Sequence, residues 1–183
     1  MEPICLRTEN SVFLMIDVQE KLVPAVHGGE NVVHEASRLL KSAEVMKIPL
    51  VVTEQYPKGL GPTVEPLRSF INEEMLLSKT SFSCLEAEGF KELIACQGRK
   101  KVIVFGIESH ICLFSTAMGL KKLGYEVVVA EEACGSRKRE HHELAMRNLL
   151  AANIGVLPVE TVVYQLLGRA GTPEFKALLP IFK

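Results

Sequence analysis

The chain has 183 residues, 48% of them apolar, and 21 Lys plus Arg against 22 Asp plus Glu give a net charge of −1. This predicts one globular domain spanning residues 1–183 and excludes a disordered chain. No apolar stretch approaches the ~20 residues of a membrane span, so no membrane partner is expected. The balanced charge lacks the basic excess of a general nucleic-acid binder.

The N-terminal MEPICLRTEN has no apolar signal core and no Arg-rich transit pattern. Ser11 to Ile16 (SVFLMI) reads as a strand ending at Asp17. Asn31 to Lys47 has helical spacing, with Val33, Ala36, Leu40 and Ala43 on one stripe. Leu50 to Thr53 reads as a second strand, Gln55 to Pro66 as a long Gly- and Pro-rich loop, and Met75 to Ser78 as a third strand before Lys79. Gly89 to Cys96 is a helix candidate. Lys101 to Phe105 (KVIVF) is the clearest strand, stopped by Gly106. Ser109 to Leu123 reads as a helix with Ser109 as N-cap and Gly124 just past its end. Glu126 to Ala130 is a fifth strand, Lys138 to Ala152 a helix and Gly155 to Pro158 a sixth strand. Short helices over Thr161 to Leu167 and Glu174 to Leu179 finish the chain.

Strands alternating with helices predict βαβ units. Runs such as KVIVF and EVVVA suit strands covered on both faces. The expected architecture is a three-layer α/β/α sandwich with a central, mostly parallel sheet of about six strands. In such sheets ligands bind beyond the carboxyl ends of the strands. The polar residues there are Asp17 after the first strand, Thr53 to Gln55 after the second, Lys79 after the third, Glu108 to Cys112 after the fourth, and Glu131 and Glu132 after the fifth. Each also has an ordinary reading: a capping aspartate, an exposed lysine, a buried inert thiol.

The five cysteines, Cys5, Cys84, Cys96, Cys112 and Cys134, are odd in number and show no Cys-x-x-Cys spacing. This predicts free thiols in a reducing compartment, the cytosol. Cys112 is the best candidate nucleophile. With Ser109 as N-cap it falls in the first helical turn, where free N–H groups and the helix dipole stabilise a thiolate and the same N–H groups can hold an oxyanion. Gly59-Leu60-Gly61 lacks the third glycine of a dinucleotide loop, and His141 and His142, being adjacent, do not share a helix face.

Asp17 in FLMIDVQ, Lys79 in SKTSFSC and Cys112 in GIESHICLFSTAMGLKKLGYEV together resemble the Asp-Lys-Cys triad of the isochorismatase-like cysteine hydrolases, a superfamily that includes nicotinamidases. The likeness covers nearly the whole chain, and TEQYPKGLGPT and SKTSFSC are similar to the subgroup of isochorismatase domain-containing proteins. The resemblance implies hydrolysis of a small amide or related acyl substrate through a thioester. Cys112 would attack, Asp17 would take its proton, and Lys79 would hold the pair together. It also implies a cis Ile107–Glu108 peptide, an oxyanion hole from the amides of Glu108 and Cys112, and a homo-oligomer. Gln55, Tyr56, Phe82 and His110 would line the pocket by position. The metal-binding nicotinamidases carry histidines in the loop after the second strand. Here that loop, TEQYPKGLG, has none, so neither a catalytic metal nor another cofactor is expected.

Two other readings stay open. The fold could serve an oligomeric binding or scaffold protein with a blocked pocket. A redox role would need Cys84 as a resolving thiol for Cys112.

Overall fold

The computed structural model describes residues 4–183, so Met1 to Pro3 of the N-terminal stretch lie outside the described residues. The six strands are β1 (Ser11–Ile16), β2 (Leu50–Gln55), β3 (Leu76–Lys79), β4 (Lys101–Ile107), β5 (Glu126–Gly135) and β6 (Gly155–Leu157). The α-helices are α1 (Gly29–Met46), α2 (Pro57–Leu60), α3 (Glu65–Arg68), α4 (Phe90–Cys96), α5 (Phe114–Lys122), α6 (Arg139–Ala151), α7 (Val159–Leu167) and α8 (Pro173–Leu178). All neighbouring strands pair parallel, in the order β3-β2-β1-β4-β5-β6. Crossovers between parallel strands place helices on both faces of the sheet. On one side α1 packs with α3, α7 and α8; α5 packs with α6.

β1 and β4 form the centre, and every residue of both is buried. Phe13 of β1 meets Phe105 of β4 edge to face, with centroids 6.0 Å apart. Burying each such side chain contributes about 1.5–3 kcal/mol. α1 buries Val32, Ala36, Leu39, Leu40, Ala43 and Met46, one stripe at helical spacing. Its inner face starts at Val32 rather than Val33, which is half-buried.

Three segments depart from the sequence reading. β5 runs on to Gly135 through an irregularity in its pairing with β4 between Val104 and Gly106, so Cys134 is inside the strand. Gly106 allows this: its φ is +120°, and a β-carbon there would overlap the Ile16 carbonyl oxygen. The expected Gln55 to Pro66 loop contains the short helix α2 and the start of α3, and its chain is tied down by buried polar groups. Glu54 accepts from the Thr63 backbone N–H (2.6 Å) and hydroxyl (2.8 Å).

The third departure is Ser109. It does not cap the nucleophile helix. Its hydroxyl donates to the Gly135 carbonyl and meets His142 Nδ1 at 2.9 Å. The helix opens with a π-helical turn, Ser109–Leu113, in which the Glu108 carbonyl accepts from both Ile111 and Leu113. Cys112 is therefore fourth in the turn, not third. Such wide turns are frequent at functional sites.

Candidate active site

The strand order reverses between β1 and β4, the point where this kind of sheet opens a crevice. Asp17 follows β1 directly, and Cys112 lies in the turn after β4. Asp17 sits at φ +54°, a left-handed conformation that Asp tolerates better than most residues. Its N–H donates to the Thr53 carbonyl at 3.0 Å. Ile16 pairs with Thr53 across β1 and β2, which sets the Thr53 hydroxyl beside the carboxylate; it donates to Asp17 Oδ1 at 2.7 Å.

Lys79 is the last residue of β3, two strands or roughly 10 Å from β1. Its side chain crosses the end of β2 beneath Gln55, its register partner. The ammonium donates to Asp17 Oδ2 (2.6 Å), Gln55 Oε1 (2.6 Å) and the Ser81 carbonyl (3.3 Å). Both charged side chains are fully shielded from solvent. Burial pulls the Lys79 pKa down. The Asp17 charge, the thiols Cys84 and Cys112, and the hydrogen bond to Asp17 outweigh it, so the net shift is upward and the ammonium stays charged.

Cys112 faces the same carboxylate. Burial, then the negative charge of Asp17, push its thiol up to about 12, against the pull of Lys79. A hydrogen bond to Asp17 adds to the rise. The resting state is a neutral thiol directed at a base, not the dipole-stabilised thiolate expected from the first-turn placement. Burial and the carboxylate outweigh the helix end here. Cys84 also lies near the pair. It is wholly buried, its Sγ is 3.8 Å from Thr53 Oγ1, and burial raises its pKa to about 11.

Cys112 opens onto a cavity of about 410 Å³. Leu22, Ala25 and Val26, from the segment between β1 and α1, form one wall with Leu60 of α2. Ile107 and Ile111 flank the thiol, and Phe82, 63% exposed, stands on the rim. The polar groups are Gln55, Glu108 and Arg137. The Ile107–Glu108 peptide is cis.

Of the pocket residues expected from sequence, Gln55 and Phe82 line this cavity and two do not. Tyr56 caps α2 and turns outward, 54% exposed. His110 is turned toward His141, the two rings tilted with centroids 4.8 Å apart, and its Nδ1 is 2.9 Å from Ser136 Oγ. In a helical turn, residues two apart cannot share a face, so His110 and Cys112 diverge. Thr53 stood at a strand end without an assigned role. Gln19, whose amide ties the Gln55 and Gly61 carbonyls, and Arg137, whose N–H and Nε both donate to Glu108, carried no local signal. The apolar Leu22–Val26 run was the one available clue to the cavity wall.

The family model for the isochorismatase domain matches residues 11–161. The chain is 35% identical to isochorismatase domain-containing protein 2 of Xenopus laevis, covering 96% of this chain and 85% of that protein. It is 34% identical to isochorismatase domain-containing protein 1 of Danio rerio, over 97% of this chain but only 62% of the longer relative. Among solved structures it is similar to the MAR1 ribonuclease of Caenorhabditis elegans, with TM-score 0.90, 29% identity, and 97% and 92% of the two chains covered. The YcaC protein of Escherichia coli, described as an octameric hydrolase of unknown specificity, shares the fold at TM-score 0.92 and 18% identity, over 99% and 92% of the chains. With the domain match spanning most of its length, the chain belongs to the isochorismatase family.

Proposed function

We propose that this chain is a cysteine hydrolase of small amides or related acyl substrates, with Cys112 as nucleophile, Asp17 as proton carrier and Lys79 as the cation that fixes Asp17. The observation that carries the reading is a solvent-shielded Asp17–Lys79 pair, bonded at 2.6 Å, facing a thiol at the floor of an open cavity. A blocked pocket would have favoured a scaffold role.

The thiol sulfur attacks the carbonyl carbon as its proton passes to Asp17. With the thiol pushed up to about 12, its proton passes to Asp17 as attack proceeds. The tetrahedral oxyanion is held by the backbone N–H groups of Glu108 and Cys112. Collapse breaks the C–N bond, and Asp17 returns the proton to the leaving nitrogen. Water, deprotonated by Asp17, then attacks the thioester, frees the acid and restores the thiol. Lys79 stays charged throughout and offsets the negative charge on Asp17.

The proposal also places the protein in the cytosol and as a homo-oligomer. All five cysteines are free, and among the described residues no helix is long and apolar enough to cross a membrane. The octamer described for the Escherichia coli relative supports self-association. Apolar cavity walls and a net charge of −1 do not suit a polyanionic RNA strand.

The test pairs the protein with Cys112→Ala. Peptide mapping after an electrophilic acyl probe should show Cys112 acylated above the background at the exposed Cys5 and Cys96, and turnover of a panel of small amides should vanish in the variant. Turnover that survives the substitution, or a parent protein with no acylation at Cys112, refutes the reading.

A further inference from the structure

We infer that the cavity selects substrates whose acyl group is apolar and uncharged. The inference rests on the hydrolase reading above and narrows it to a substrate class. Seven of the eleven residues that line the cavity are apolar. The polar ones are tied to protein neighbours. Gln55 is held at both ends: its Oε1 accepts from Lys79 and its Nε2 donates to the Thr80 carbonyl at 2.8 Å. Glu108 Oε2 accepts from the Arg137 N–H (3.0 Å) and Nε (3.1 Å). Cys112 faces Asp17. Arg137 itself stands at the rim with a side chain 61% exposed, where water competes for it.

Among the described residues, the lining offers a charged acyl chain one cationic side chain, Arg137, which is paired with Glu108 and largely in water. Burying such a group would strip its water without replacement. An apolar chain meets the opposite situation: each methylene that enters leaves water for hydrocarbon walls. Phe82 extends this surface outward, since a large ring left 63% exposed at the rim can cover the chain of a bound substrate.

The test is a series of straight-chain amides from acetamide to hexanamide, with succinamate as the charged counterpart of butanamide. kcat/KM should rise about fourfold per added methylene until the cavity is filled, and succinamate should be at least ~10-fold poorer than butanamide. Binding to Cys112→Ala, followed by calorimetry, should show the same order without any chemistry. Phe82→Ala, at an exposed position whose loss leaves the core intact, should flatten the rise for the longest chains.

A flat series, or a preference for succinamate, overturns this inference while the hydrolase reading stands. Absence of Cys112-dependent turnover sinks the hydrolase reading, and the calorimetric series on Cys112→Ala then decides the apolar pocket alone: flat binding refutes it, and a rise with chain length upholds it.

Discussion

Lys79→Met removes the cation that faces Asp17. Methionine keeps most of the side-chain volume, so the change is chiefly electrostatic. It deprives Asp17 Oδ2, Gln55 Oε1 and the Ser81 carbonyl of their shared donor. Asp17, fully shielded from solvent, keeps the Thr53 hydroxyl and the Cys112 thiol as neutral partners. Breaking a buried pair from one side costs about 3–5 kcal/mol, because the remaining charge is left uncompensated. With a urea m-value of about 2 kcal/mol/M, the denaturation midpoint should fall by roughly 2 M. The double variant Asp17→Asn/Lys79→Met carries no unpaired charge, and Asn can still bond Thr53, so it should regain most of that loss. Catalysis separates from stability here. Both variants should lose at least ~100-fold in kcat/KM, since neither retains a charged base held in place. Urea titrations of the three proteins give the answer. A midpoint shift below ~0.5 M for Lys79→Met, or a double variant less stable than the single, would refute the view that the pair is buried and mutually dependent.

Alkylation of Cys112 offers a second check. With a thiol pKa near 12, the rate with iodoacetamide should climb about tenfold per pH unit from pH 7 to 10 without a plateau. Because Asp17 raises the pKa and Lys79 lowers it, Asp17→Asn should react faster than the parent at pH 8 while hydrolysing nothing, and Lys79→Met should react more slowly; equal rates in the two variants would show that the charges do not reach the thiol. Thr53 is a positioning residue for Asp17. Thr53→Val should cut kcat roughly 10- to 100-fold with KM little changed, the loss of one hydrogen bond to a charged group. Thr53→Ser, which keeps the hydroxyl, should stay within about threefold; a loss in Ser with none in Val would mean the methyl packing matters and the bond does not.

Much of this arrangement follows from local pattern. The central strands are apolar but for their first residues, and β4 is rich in β-branched side chains; a sheet covered on both faces buries such runs, so β1, β4 and the parallel order of the elements follow from SVFLMI and KVIVF. Asp17, Lys79 and Cys112 stand out because each adjoins a strand end, where a parallel sheet collects its polar groups. Tertiary structure decided what those residues experience. Lys79 is 62 positions from Asp17, and its contact with the carboxylate depends on the register of β2 against both neighbours, which no local pattern encodes. The resting state of Cys112 was inverted for the same reason: helix position argues for a thiolate, whereas burial beside a carboxylate enforces a thiol, and burial is a property of the whole fold. Ser109 fits a cap by sequence but is drawn instead to Gly135 and His142, elements brought beside it by the extension of β5. The sequence by itself determined which elements form and which side chains crown the sheet. Only the packed chain decided their charge states and the apolar shape of the cavity, because desolvation and cavity walls arise from residues distant in sequence that meet only when the sheet is assembled.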